Sequence, residues 1–403
     1  MRLNKSRVAA ILAVTAVAMT ACGGEPQKNV PAETPHGYVE GAEEAAEAQS
    51  RLIVADTASG AVRVVDLITE EVHETGRVDG VRALTGDGRF GYLTGGDGSV
   101  RVVDSGAWMV DHGDHVHYYR AKPREVGVAP GKQPLSAYSD PVASAVSFSD
   151  GTAVVLDRAL LDKGSVAELG RIVREPHDGV AVPYGKQILA SVADPGTKYG
   201  NRVRVHDRQG KPVAEIGQPC PELRGQAVTR RGVVFGCADG ALLVTEKDGA
   251  FTGEKIPYPP EAAARERATG FSHRPGGTTL VAKAGDGGVW SLDVGRRTWR
   301  YLETGPVAAV NAVGEGGPVL VLSRDGKLRA FDGATGKEQA QIPLLPPEAA
   351  AAATPSVQVD TTRAYVNNPH SGEVYEIDYN DNLRRARTLK VEGKAAFIVE
   401  TGR

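Results

Sequence analysis

The stretch Leu52-Ile-Val-Ala-Asp-Thr-Ala-Ser-Gly-Ala-Val-Arg-Val-Val-Asp66 decides the fold. Four apolar residues are followed by an Asp/Gly turn and then by an alternating run that ends in Asp. This is the pattern of two short antiparallel strands joined by a tight connection. The unit recurs along the chain. Its copies run Phe90-Gly-Tyr-Leu to Asp104, Val142-Ala-Ser-Ala to Asp157, Ile188-Leu-Ala-Ser to Asp207 and Val233-Val-Phe-Gly to Glu246. Leu280-Val-Ala-Lys to Asp293, Val319-Leu-Val-Leu to Asp332 and Ala364-Tyr-Val-Asn to Asp378 follow. The acidic ends are spaced by 38, 53, 50, 39, 47, 39 and 46 residues. A period of this length with hairpin signals in every unit is that of a β-propeller of WD40/YVTN-like repeats. Eight units predict eight blades, or seven if the third or fifth unit is not one.

The first unit lacks an opening strand, and Ala395-Ala-Phe-Ile-Val-Glu400 has no partner of its own. The C-terminal strand is therefore expected to complete the first blade and close the ring, hiding the sheet edges. Alternating apolar residues and 49 glycines argue against a helical array. Helical character is confined to 260–267 and 346–353. The recurrent terminal Asp reads as turn chemistry, since Asp bonds the backbone of a bend.

Working outward from the repeats, the N-terminus reads as a secretory signal. Arg2, Lys5 and Arg7 precede a short apolar run, and Met19-Thr-Ala-Cys-Gly-Gly24 looks like a lipobox with Cys22 as the lipidated residue. The expected organisation is a signal peptide over 1–21, a lipidated Cys22 and flexible tether over 22–50, and one propeller domain over 51–403. Removing Arg2, Lys5 and Arg7 leaves 44 Lys+Arg against 50 Asp+Glu, a net charge of −6. That balance gives no electrostatic footprint for nucleic acid. The lipid would be the only membrane attachment, on the extracytoplasmic face of the bacterial cell membrane. In an exported chain the remaining pair, Cys220 and Cys237, reads as a disulfide. A metal site there would lack both a CxxC spacing and a nearby His.

Between the second and third units lies Trp108-Met-Val-Asp-His-Gly-Asp-His-Val-His-Tyr-Tyr-Arg120. It holds His112, His115 and His117, a third of the nine histidines in the chain, with Asp111 and Asp114 among them. Imidazole is the commonest protein ligand for zinc, and carboxylate the usual supplement. In an extended segment His115 and His117 would point to one side, and a bend at Gly113 would bring His112 round. Asp114 is the next candidate ligand, then Asp111. His177, Asp178 and His36 are candidates to approach from elsewhere. His73, His206, His273 and His370 read as solvated or structural.

With these motifs in place the chain resembles the AztD-type bacterial zinc metallochaperones. The resemblance covers most of 35–403. It rests on Pro35-His-Gly-Tyr-Val-Glu-Gly-Ala-Glu-Glu44, Asp111-His-Gly-Asp-His-Val-His-Tyr-Tyr119 and Pro176-His-Asp-Gly-Val-Ala-Val-Pro183, with Cys220-Pro-Glu-Leu-Arg-Gly225 and Gly236-Cys-Ala-Asp-Gly240. It implies an extracytoplasmic β-propeller that binds zinc, stores it and passes it to the solute-binding protein of a zinc ABC importer. The chain departs from the family at Asp178 and Arg224, where relatives tend to carry His. Asp178 can ligate zinc; Arg224 cannot, having no acceptor.

No Gly-x-Ser-x-Gly elbow, phosphate loop or HExxH pair is present in the sequence, so the expected protein is not an enzyme. The alternative is an envelope scaffold for protein–protein interaction, with incidental histidines. Neutral imidazoles hold zinc, so affinity is expected to fall as pH drops through the histidine range near ~6.5.

Overall fold

A computed structural model describes residues 37–403, apart from 113, 132, 261, 263, 264, 353 and 354. The signal peptide, Cys22 and His36 lie outside the described residues, as does the Gly113 bend. Among the described residues no helix is long and apolar enough to cross a membrane.

The fold is a succession of antiparallel meanders. Strands β1 (Glu43–Ala45), β2 (Arg51–Ala55), β3 (Ala61–Asp66), β4 (Val72–Arg77), β5 (Ala83–Gly86), β6 (Phe90–Thr94), β7 (Val100–Asp104), β8 (Ala107–Asp111), β9 (Val116–Arg120) and β10 (Arg124–Ala129) open it. The first sheet is the C-terminal strand Phe397–Thr401 followed by β2, β3 and β4, and the second is β5-β6-β7-β10. Six further sheets span 134–172, 181–215, 226–257, 279–302, 307–343 and 357–390. All have four strands except that over 279–302, which has three. In that sheet Ser272 bridges Val281 where a fourth strand would lie.

Side-chain alternation explains how each sheet meets two neighbours. In β2, Leu52 and Val54 join Tyr365, Val374 and Leu389 of the eighth sheet. Ile53 and Ala55 point the other way and join Leu93 and Val103 of the second. Both faces are covered, so β2 is buried along its length and reads as unbroken apolar sequence. The same holds around the molecule: second to third through Phe90, Val102 and Val146, and third to fourth through Val155, Ile172 and Ile188. Further clusters link fourth to fifth, fifth to sixth, sixth to seventh and seventh to eighth. Each fully buried Leu or Val contributes roughly 1.5–3 kcal/mol.

The C-terminal strand pairs with β2 in the register Leu52 to Glu400 and Ile53 to Val399. The last strand therefore completes the first sheet, as expected for 395–400. The terminal Asp residues also behave as expected. Asp66 accepts the backbone N–H groups of Ile68 and Thr69, and Asp332 those of Ala334 and Thr335. Cys220 and Cys237 form a disulfide with Cα atoms 4.9 Å apart.

The tether expected over 22–50 needs correction in its described part. Glu43–Ala45 pairs as β1 with β9, and the Trp108 indole N–H donates to the Gly37 carbonyl at 3.1 Å. An extended backbone beside an open strand edge gains a ladder, and that outweighs the tether-like composition.

The seam at the C-terminal strand carries a titratable group. Glu400 is 2% exposed and accepts from the Arg403 guanidinium at 2.6 Å. Burial raises its carboxyl to about 7, with Arg403 opposing and Asp360 adding to the rise. A folded value above the unfolded one means the folded state holds the proton more tightly. That stability is complete below about 4.5 and is lost as pH rises toward 7. Stability is therefore expected to fall by about 3 kcal/mol across that window from this group, at ~1.4 kcal/mol per unit. Glu400→Gln removes the component, so its urea midpoint should vary less with pH between 4.5 and 7.5 than the parent's. Parallel pH profiles would refute the assignment.

Candidate metal site

The histidine segment is a β-hairpin inserted between the third and fourth strands of the second sheet. Strands β8 and β9 pair in the register Trp108 to Tyr119, Val110 to His117 and Asp111 to Val116, and β1 adds a third strand. The root of the hairpin is fixed by the body of the protein. The Ala121 N–H donates to the Gly106 carbonyl at 2.7 Å. Gly106 has φ +68°, and a Cβ there would lie 2.3 Å from the Ala121 oxygen, so only glycine suits this corner. Buried Arg51 donates to the Ser105 and Ala121 carbonyls at 2.7 and 2.8 Å and to Asp66 at 3.1 Å. Burial pushes the Asp66 carboxyl up, but the N–H groups of Thr69 and Ile68 together with Arg51 bring it below its ordinary value.

Above the root a stack carries order toward the tip. The Arg89 guanidinium lies 3.7 Å from the Trp108 ring centre. Trp108 stacks on Tyr119 at 5.4 Å, and His117 on Tyr119 at 6.2 Å. Tyr119 is fully buried; burial, then the Glu44 charge, raises its hydroxyl.

At the tip the structure brings together three of the predicted ligands. One nitrogen from each of His112, His115 and His117 lies within 4.8 Å of the others. The ring centres are 4.8, 5.3 and 5.0 Å apart. His117 is in β9, whereas His115 precedes the strand, and their rings meet nearly at right angles, at 79°. The His112 N–H donates to the His115 carbonyl at 2.9 Å, which curls the tip back on itself. His112 and His115 are exposed and His117 half-buried.

The carboxylates play a different part from the one expected. Asp114 Oδ1 is 2.8 Å from His115 Nδ1, and Glu44 Oε1 is 2.6 Å from His117 Nδ1. A carboxylate at Nδ1 fixes the tautomer with its proton there and leaves the Nε2 lone pair for a metal. Asp114 thus stands behind His115 instead of within the three-nitrogen group, and Asp111 also falls outside that group. Three imidazoles with a fourth position open to solvent are a donor set suited to zinc.

His177 and Asp178 are not brought into this group. His177 is 4% exposed, with Nδ1 2.6 Å from the Glu175 carbonyl and Nε2 2.8 Å from the Ser191 hydroxyl, so both ring nitrogens are engaged. Burial lowers its basicity. Asp178 pairs with Lys198 at 3.7 Å, and Arg224 lies over the Tyr199 ring at 4.7 Å. Sequence reasoning missed Glu44, Arg51, Arg89 and Trp108 as parts of the site.

Fold and hairpin define an all-β propeller protein that presents three convergent histidines on a braced, partly open hairpin. The zinc chaperone AztD of Citrobacter koseri is 26% identical over 370 residues, 87% of this chain and 86% of that relative. The resemblance to AztD-type proteins is thereby borne out. Its crystal structure superposes with a TM-score of 0.75 at 24% identity, covering 88% of this chain and 98% of that one. The apo form gives 0.76 at 23% identity, over the same shares. The fold is shared more loosely with Chaetomium thermophilum Sqt1 bound to the N-terminus of ribosomal protein L10, at 0.51 and 16% identity, covering 79% and 94% of the two chains. No family profile matches the chain.

Proposed function

We propose that this protein is an extracytoplasmic zinc-binding lipoprotein, anchored through Cys22, that stores zinc and hands it to the solute-binding protein of a zinc ABC importer. The observation that carries the reading is the convergence of His112, His115 and His117. Similarity to a protein named a zinc chaperone supports zinc as the cargo. Chemistry supports delivery over use. Two of the three imidazoles are exposed, so an incoming protein ligand can reach the ion while the others still hold it. A closed four-ligand cage would resist that exchange. Arg51 and the Trp108 stack brace the hairpin without covering its tip.

The test is metal content followed by transfer. The purified full chain should carry stoichiometric zinc and lose it to an apo solute-binding protein faster than to buffer containing the same free chelating capacity. Absence of bound zinc defeats the reading. Zinc that binds but leaves no faster with the acceptor than without it defeats the delivery step. A partner captured equally well with and without zinc would favour the scaffold.

A further inference from the structure

His115 draws its carboxylate from its own hairpin, from adjacent Asp114. His117 draws its carboxylate from Glu44, 73 residues earlier, on a three-residue edge strand. Backbone register explains the contact. Glu44 pairs with Tyr119, and in an antiparallel ladder a diagonal neighbour two residues along shares the same face, which is where His117 lies. Other bonds hold β1 in that register. Glu43 pairs with Arg120 at 3.0 Å, and the Trp108 indole donates to the Gly37 carbonyl. Gly37 also packs on Val110; a Cβ there would come 2.2 Å from a Val110 methyl.

We infer that Glu44 is a positioning residue for the metal ligand His117, so that docking of β1 and metal affinity are linked. The inference rests on the proposed zinc-binding reading. With Glu44 in place, the carboxylate at His117 Nδ1 favours the tautomer with its proton there and leaves the Nε2 lone pair for a metal. With β1 undocked, His117 keeps its place in β9 but loses the group that selects its tautomer and ring orientation. Linkage is reciprocal: a segment that strengthens zinc binding must itself be held more firmly when zinc is bound. An acceptor that competes for the β9 edge would therefore loosen the ion as it arrives.

Zinc affinity of the full chain would be measured by competition with a chromophoric chelator, alongside backbone hydrogen exchange at residues 43–45. Glu44→Gln is expected to weaken zinc roughly 10- to 100-fold, the usual effect of removing an outer-sphere carboxylate. Glu44→Asp should recover part of the loss. Glu43→Gln, which removes the Arg120 pair without touching His117, should change affinity less than about twofold, as exposed pairs do. Zinc should slow exchange at 43–45 in the parent and not in Glu44→Gln. Unchanged affinity in Glu44→Gln overturns the inference while leaving the zinc site standing. Equal losses in Glu43→Gln and Glu44→Gln overturn the specific role of Glu44. If the parent binds no zinc, it is the underlying reading that fails.

Discussion

Arg89→Leu is expected to destabilise the protein by about 3–5 kcal/mol, the cost of leaving a buried charge without its partner. Arg89 is 3% exposed and meets Asp104 through two parallel bonds of 3.0 and 2.8 Å, while its third nitrogen reaches Asp162 at 3.1 Å. Asp104 is 2% exposed and also accepts the Gly106 N–H. The substitution leaves that carboxylate, beside the hairpin root, with only the exposed Arg124 guanidinium 3.7 Å away. It also removes the cation beneath Trp108, a contact worth up to about 2 kcal/mol when desolvated. Paired with Asp104→Asn the loss should be smaller than for Arg89→Leu alone, because no uncompensated charge remains. Urea unfolding followed by tryptophan fluorescence checks both. A single variant within 1 kcal/mol of the parent would show that the pair does not hold the hairpin. Because Trp108 carries order from Arg89 toward Tyr119 and His117, zinc affinity should fall along with stability.

How much of this was legible follows from where each signal sits. Leu52–Ala55 announces a strand buried on both faces because its local pattern and its tertiary fate agree. The terminal Asp of each unit is equally local, its bonds being made two and three residues ahead. The three histidines are likewise legible, lying within six residues and needing only a reversal to converge. Glu44 is different. Nothing in the residues beside it says that its carboxylate will meet an imidazole 73 positions later. Only the motif over 35–44, on which the family resemblance partly rests, marks the segment as more than a linker. Arg51, Arg89 and Trp108 are hidden for the same reason. An Arg that begins a strand looks like any surface Arg until its carbonyl and carboxylate partners are known. His177 shows the reverse: a suggestive Pro-His-Asp sequence becomes a buried histidine with both nitrogens engaged. Sequence reports which side chains could ligate, whereas the site is decided by which lone pairs remain unspent.

The histidines are therefore expected to separate in a zinc-dependent thermal shift. A ligand that binds only the folded state stabilises it by about 2.7 kcal/mol at a hundred times its dissociation constant. The parent should gain on that order when zinc is added. His115→Ala/His117→Ala should gain nothing, having one of the three convergent imidazoles left. Each single variant should lose at least ~100-fold in affinity, more than removal of an outer-sphere partner causes. His117→Ala should be the more damaging of the two, since its ring is half-buried, stacked on Tyr119 and held at Nδ1 by Glu44. Without zinc the His115→Ala variant should melt with the parent, because the His115 side chain is 57% exposed and pairs with an Asp114 that is itself exposed. His177→Ala should do the opposite. It removes a buried group from Ser191 and the Glu175 carbonyl, lowering stability by roughly 1–3 kcal/mol, and leaves the zinc-induced gain intact. A double variant that still responds to zinc like the parent would move the site elsewhere. A His177→Ala protein that folds normally but loses the response would bring that residue back among the ligands. The contrast tests the physical distinction directly, between imidazoles with a lone pair to offer and one whose nitrogens the fold has already used.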